Sequence, residues 1–164
     1  MTTDEALLFL QAHQPLPPTK EISNELLSQF DEVRKHFAAH PDSRCVPLLL
    51  NSFGQGDGHG VYQRVEDTLR VHSPEIVVEA LLQGLRSPHH SIRQWNAEIA
   101  ANYPRPELVK PLAELLRHGT IDEQMSAAIA LKLNDNPEAR RELNDALNSN
   151  MEEEVKRAIL ELFD

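Results

Sequence analysis

Prolines recur along this chain at a nearly constant spacing, which limits the possible folds more than any other feature of the sequence. Pro41, Pro74, Pro106 and Pro137 lie 33, 32 and 31 residues apart, and Asp or Glu follows each of them. Proline suits the first turn of a helix, where its missing N–H is not needed. An acidic residue there is favoured by the positive end of the helix dipole. The spacing therefore predicts helix starts about every 31 residues.

A second helical segment repeats in step with the first. Its copies begin at Val61, Ile92, Gln124 and Val155, which are 31, 32 and 31 residues apart. Apolar residues fall mostly at offsets 0, 3, 4, 7 and 8 of each copy, which is one stripe of a helix. Gln124 fits the stripe imperfectly, as does Lys132 in the same copy. Each unit is thus predicted to be a helix, a short turn and a second helix.

These units predict an all-α fold, a right-handed α-solenoid of about five helical hairpins, because a single hairpin of this size cannot bury its apolar face alone. Residues 1–164 are predicted to form one domain. Its N-terminal hairpin covers residues 1–41, with helices over 3–13 and about 20–39 joined by the stiff turn "QPLPPT". Pro47 and Pro111 are expected to kink or delay the helices that contain them. The four repeats within 42–164 are predicted at about 42–72, 74–103, 105–134 and 136–163.

The second unit, "SPEIVVEALLQGLRSPHHSIRQWNAEIAANYP", resembles a HEAT-like repeat of the short bacterial type. In that pattern an apolar helix is followed by a Ser-Pro turn and by a second helix that begins Val-Arg-x-x-Ala. Ile92-Arg93 and Val155-Lys156 match the first two positions, whereas Val61-Tyr62 and Gln124-Met125 depart from them. The resemblance implies stacked helical pairs and says little about function.

The stretch "GQGDGHG" at 54–60 has a composition that suits a phosphate loop, a metal site or a turn. No strand precedes it and no Gly-Lys-Ser/Thr sequence ends it, as a phosphate loop requires. No third metal ligand is visible beside Asp57 and His59. Because the repeat aligns it with the turn "SPHHS", we expect a lengthened turn inside the first repeat.

The sequence predicts a protein without catalytic residues, metal or cofactor. No histidine is followed by Glu, so the repeated His-Glu ligand pairs of HEAT-like di-iron hydroxylases are absent. No serine lies in a nucleophile-elbow motif, and the single cysteine, Cys45, is expected to be a core residue. An enzyme of unknown chemistry, such as a relative of the chromophore lyases, stays open as an alternative.

Five residues have two interpretations each. Trp95 occupies a core offset of the repeat, yet its bulk at a position held by Ala127 and Ala158 in later repeats also suits a binding anchor. Four histidines are expected to be solvated turn residues, with a pH-sensitive binding edge as the alternative. These histidines are His59, His89, His90 and His118.

The net charge of −10 indicates the kind of partner. Such a charge repels nucleic acid and attracts basic proteins. No signal peptide or membrane span is predicted, so we expect a cytoplasmic location. The candidate partner-binding residues lie on second helices, with the loop 54–60 at the rim. They are Tyr62, Gln63, Glu66, Asp67, Gln94 and Glu98.

The predicted function is a non-enzymatic protein-binding module. Small acidic HEAT-like proteins resemble immunity proteins, which implies a partner that is a basic toxin domain neutralised in the cytosol. A general HEAT-repeat scaffold or regulatory adaptor is the alternative. The sequence predicts no direct contact with nucleic acid or membrane, and it leaves the oligomeric state open.

Overall fold

A computed structural model describes residues 1–163, which form α-helices, short 3-10 turns and no β-strand. The prediction of an all-α chain is confirmed. The helices are α1 (Thr3–Ala12), α2 (Asn24–Ala39), α3 (Cys45–Leu50), α4 (Val65–Leu69), α5 (Pro74–Gly84), α6 (His90–Ala100), α7 (Val109–His118), α8 (Ile121–Leu133), α9 (Pro137–Leu147) and α10 (Glu153–Glu161).

Helices α1 to α5 belong to the first of two compact units, Met1–Gly84. The first helices of successive hairpins pack in series, α1 against α3 and α3 against α5. The second helices do the same, since α2 packs against α4, and α1 also packs against α2. Each hairpin thus covers the apolar face of its neighbour, as stacking in a solenoid requires.

The second unit begins at Leu85 and contains α6 to α10. Helix α8 packs against α6 and α10, while α7 packs against α9 and against its own partner α8. This packing confirms the predicted fold class, an α-solenoid of helical hairpins. The boundary between the units falls within the second predicted repeat, and a single domain over 1–164 stays a prediction.

Local sequence signals explain where the helices begin. The predicted start of α2 near residue 20 is wrong, because the Ser23 side chain accepts a hydrogen bond from the Leu26 N–H and caps a helix that begins at Asn24. Pro47 and Pro111 are each the third residue of their helix, inside the first turn. A 3-10 turn at Pro106–Leu108 precedes α7, so the expected delay of that helix is confirmed.

The core is built mainly of Leu, Val, Ile and Ala, with few aromatic side chains. Trp95 is buried, which decides in favour of its core interpretation, and Cys45 is fully buried as expected. Within the described part of the chain, no helix has the length and apolar character needed to cross a membrane.

Candidate functional site

Four of the predicted contact residues lie in the first unit, and three of them, Gln63, Glu66 and Asp67, have side chains that reach the surface. Gln63 and Asp67 are exposed, and Glu66 is half-buried. The exposed Arg70 guanidinium lies 3.5 Å from the Glu66 carboxylate and 3.4 Å from that of Asp67. Exposed pairs of this kind add little stability and exchange readily with other partners. The two carboxylates are therefore able to face a cationic partner.

The expectation that Tyr62 is exposed is wrong, because its side chain is fully buried. The ring packs edge-on against Phe30 and Phe53, with centroid distances of 6.0 Å and 5.3 Å. Its hydroxyl accepts a hydrogen bond from the Gly54 N–H at 3.1 Å, and burial raises the pKa of the phenol. Tyr62 begins a 3-10 turn, Tyr62–Arg64, rather than an α-helix. The different turn geometry directs its side chain inward, so Tyr62 is not part of a contact surface.

The remaining predicted contacts lie on α6 in the second unit. Glu98 is exposed and Gln94 is half-buried. The buried Trp95 lies between them in the sequence and faces the core. Gln94 and Glu98 are four residues apart, so their side chains lie on the same face of α6.

The glycine loop at 54–60 is a structural turn fastened to the segment after α1. The Thr19 N–H donates to the Gln55 carbonyl at 2.8 Å, and the Gly58 N–H donates to the Thr19 hydroxyl at 2.9 Å. The Asp57 carboxylate accepts a hydrogen bond from the His59 N–H at 2.9 Å, so it closes its own turn. No group of three or more metal-ligating side chains occurs among residues 1–163.

The four turn histidines are all exposed. His59 adopts a left-handed backbone conformation with φ +49°. His89 precedes α6, His90 begins it, and His118 ends α7. Their positions fit the expectation of solvated turn residues.

A Cys-His-Asp arrangement exists in the first unit and was not visible as a motif in the sequence. The Cys45 sulfur lies 3.7 Å from Nε2 of His72. Burial raises the pKa of the Cys45 thiol to about 12, and burial also lowers the pKa of His72, against the opposing effect of Asp42. Since the thiolate is the nucleophile, a thiol protonated at neutral pH beside a neutral imidazole supplies no nucleophile.

An open groove of about 540 Å³ lies in the second unit, and sequence reasoning missed it. Arg93 lies in its wall, donating from Nε to the Glu123 carboxylate at 2.6 Å and from Nη1 to the Ser87 carbonyl at 2.8 Å. Glu123 is buried and also accepts from the Thr120 N–H at 2.6 Å. The sequence signal for this role of Glu123 was the Thr-x-x-Glu pattern of residues 120–123, which is typical of a capping box at a helix start. The groove carries both signs of charge and is lined by Leu85, Arg86, Arg93, Pro111, Glu114, Leu115, His118 and Gly119.

Helix α8 exposes a row of large apolar side chains that the repeat analysis also missed. Ile121, Ile129 and Leu133 are exposed and Met125 is half-buried, each four residues from the next. We call these four residues the α8 ridge. Residues at this spacing lie on one row of a helix surface. The opposite face of α8 is buried in the core, so this helix is apolar on both sides.

A comparison with protein families found one match along this chain. A model of HEAT repeats matches residues 78–163, slightly more than half of the sequence, from within α5 through α10. Neither the curated proteins nor the solved structures gave a match. HEAT repeats stack into scaffolds that contact other proteins through extended surfaces. With these repeats spanning α6 to α10 and the same serial packing of helices in each unit, the chain belongs to the HEAT repeat family.

Proposed function

We propose that this chain is a non-enzymatic module that binds a basic protein. The observation that carries the proposal is the net charge of −10 together with exposed carboxylates on the second helices, Asp67 in the first unit and Glu98 in the second. Opposite charge speeds the encounter of two proteins and orients them before contact. HEAT repeats supply the rigid surface on which those charges are displayed.

The specific form of the proposal is an immunity protein whose partner is a basic toxin domain in the cytosol. Two properties support it, the acidic charge and the small HEAT-repeat fold, both of which suit an inhibitor that acts by covering its target. Its candidate contacts are Gln63, Glu66 and Asp67 in the first unit, with Gln94 and Glu98 in the second. Tyr62 is left out because a fully buried side chain does not reach a partner.

The direct test uses a basic toxin encoded beside the gene for this chain. The chain is co-expressed with that toxin, and growth, complex formation and toxin activity are measured. We expect a stoichiometric complex, restored growth and an inhibited toxin. The proposal would be contradicted by a toxin that stays active and unbound, or by an acidic protein that consistently co-purifies with the chain.

Charge-reversed variants test which surface is used. Asp67→Lys combined with Glu98→Lys is expected to lower the association rate constant roughly tenfold, because it removes attraction and adds repulsion. Glu79→Lys is the control, since it makes the same charge change per residue at an exposed position of α5, the first helix of its hairpin. If the control lowers the association rate constant as much per reversed charge as the Asp67→Lys, Glu98→Lys variant does, the partner does not bind at the surface of Asp67 and Glu98.

A further inference from the structure

The α8 ridge is unusual for a solvated helix face. Ile121, Ile129 and Leu133 are exposed to 60%, 37% and 56%. Solvated helix faces ordinarily carry polar residues, and scattered single apolar side chains need no explanation. Four large apolar residues in one row on one helix form a continuous patch instead, and such patches mark interaction sites.

The other second helices of this unit carry different side chains at the positions equivalent to the ridge. In α6 and the residue before it, the first three ridge positions are held by His89, Arg93 and Ala97. In α10 and its N-cap they are held by Glu152, Lys156 and Leu160. Ala97 is a small apolar residue and is fully buried, whereas Leu160 is large, apolar and exposed to 51%. Helix α10 packs against α8, and we include the exposed Leu160 as a neighbouring apolar position.

The charges on α8 and α10 indicate what would cover this surface. Four carboxylates are exposed there, and one of them, Glu153, forms an ion pair with the half-buried Lys156. The exposed cations of these two helices are Lys132 and Arg157, and the whole chain carries a net charge of −10. The Lys132 ammonium also lies over the Phe163 ring, 4.9 Å from its centroid. The exposed carboxylates are Asp122, Glu153, Glu154 and Glu161.

We propose that the α8 ridge and Leu160 form the docking surface for an amphipathic helix whose apolar face is flanked by lysine or arginine. This inference rests on the proposed function and names the surface to which the basic partner binds. A row spaced by four residues packs into the groove between rows of another helix. The ridge spans roughly 18 Å at 1.5 Å per residue, which matches about three turns of such a partner.

Charge argues against two other occupants. A second copy of this chain carries the same net charge of −10 and is repelled. An anionic lipid surface is repelled in the same way, since membrane-surface helices use lysine and arginine for attraction. A basic helix satisfies the apolar row and the acidic flanks together.

The test uses two synthetic amphipathic peptides of about 18 residues with the same leucine face, one with lysine and one with glutamate on the polar face. Binding to the full chain is measured by fluorescence anisotropy, and the site is located from the NMR signals of ¹³C-labelled methionine methyl groups. We expect the lysine peptide to bind and to shift the Met125 signal, leaving those of Met1 and Met151 in place. The glutamate peptide should bind at least roughly tenfold more weakly.

Ridge variants decide whether the apolar row holds the peptide. Ile129→Asp with Leu133→Asp should weaken binding of the lysine peptide at least roughly tenfold. The matched control is Leu8→Asp with Val71→Asp, two exposed apolar positions of the first unit, and it should bind as the parent does. Leu133→Ser alone provides a milder change if the double variant unfolds, and circular dichroism verifies the fold of each variant.

Four results with the peptides, the chain alone or vesicles would overturn the inference. The first two are a lysine peptide that binds the ridge variant and the parent equally, and a glutamate peptide that binds as tightly as the lysine peptide. The other two are self-association of the chain that ridge variants abolish, and ridge-dependent binding to vesicles of anionic lipid. Binding of the parent and the ridge variant to the toxin encoded beside the gene distinguishes this inference from the proposed function. A toxin bound equally by parent and ridge variant overturns the inference and leaves the function standing. If the lysine peptide binds at Met125 but no basic protein partner exists, the proposed function is overturned and the docking surface stands.

Discussion

At the scale of single residues, the glycines of the 54–60 loop differ in what they do. A Cβ at Gly54 would lie 2.4 Å from the Leu16 carbonyl oxygen and 2.6 Å from that of Pro17. Both obstacles are backbone atoms, which cannot rotate away. Gly60 has φ +82° and open space where a Cβ would be. One glycine is therefore needed for close approach and the other only for its left-handed backbone.

This difference gives the first prediction, a comparison of Gly54→Ala with Gly60→Ala. We expect Gly60→Ala to lower the free energy of unfolding by about 1 kcal/mol, the cost of a left-handed alanine. Gly54→Ala should cost more, about 2–3 kcal/mol, because overpacking displaces the segment that carries Leu16. Urea unfolding measures both values, and equal costs would show that close approach is not what Gly54 provides.

Cys45 is the second residue whose surroundings set its chemistry. Burial raises the pKa of its thiol from an ordinary value of 9.0 to about 12. The unfolded chain ionises the thiol near pH 9, whereas the native state keeps it protonated until about pH 12. The stability that this thiol contributes is thus fully present below pH 9 and is lost as pH rises through that window.

We therefore predict slow alkylation of native Cys45 at pH 8 and fast alkylation in denaturant. Between pH 8 and pH 10 the free energy of unfolding should fall by about 1 kcal/mol more in the parent than in Cys45→Ala. Urea titrations at the two pH values give this difference, and the alanine variant removes the contribution of every other group that titrates there. Rapid alkylation of the folded protein at pH 8 would contradict the assignment.

At the scale of elements, the Arg93–Glu123 pair fastens α6 to the start of α8. Glu123 is almost completely buried and Arg93 is one quarter exposed. The same carboxylate caps α8 through the Thr120 N–H. One side chain thus sets both where α8 begins and how it meets α6.

The third prediction is that this pair behaves as a coupled unit. Arg93→Ala should cost about 2 kcal/mol, since it leaves a buried carboxylate without its cation. Glu123→Gln should cost about 1 kcal/mol, because glutamine retains the cap. The double variant should cost about 1 kcal/mol less than the sum of the two. Thermal or urea unfolding completes the cycle, and Glu153→Gln, in a surface pair, should change stability by less than about 0.5 kcal/mol. Additive costs would show that the contact contributes no coupling.

At the scale of the whole molecule, we propose that charge controls how fast the chain associates with a partner and that the α8 ridge controls how long the partner stays bound. Long-range attraction acts on association and is screened by salt. Burial of apolar side chains acts mainly on dissociation. The two proposed contributions are therefore separable by kinetics.

The fourth prediction follows for the complex with a basic partner. Raising NaCl from about 50 mM to about 500 mM should lower the association rate constant roughly tenfold. The dissociation rate constant should change much less with salt and should instead rise in the Ile129→Asp, Leu133→Asp variant. Surface plasmon resonance or stopped-flow measurements give both constants. An association rate constant that does not depend on salt would contradict electrostatic attraction of the partner.

The positions of most helices, and their arrangement in pairs, were predictable from local sequence signals alone. Proline in the first turn, acidic residues after it and an apolar row at helical spacing act within one or two turns of chain. Those signals remain readable without knowledge of any neighbour. The start of α2 shows their limit, because the Ser23 cap begins this helix at Asn24, four residues after the predicted start.

Which side chains reach the surface depended instead on how the helices pack together. Tyr62 is buried because Phe30, Phe53 and Gly54 enclose it. Phe30 lies in α2, whereas Phe53 and Gly54 lie in the loop after α3. Helix α8 is apolar on both faces, so its own sequence did not reveal which face its neighbours would cover. Burial depends on groups that are distant along the chain, whereas helix formation depends on groups that are close, and this is why the fold was predictable and the contact surface was not.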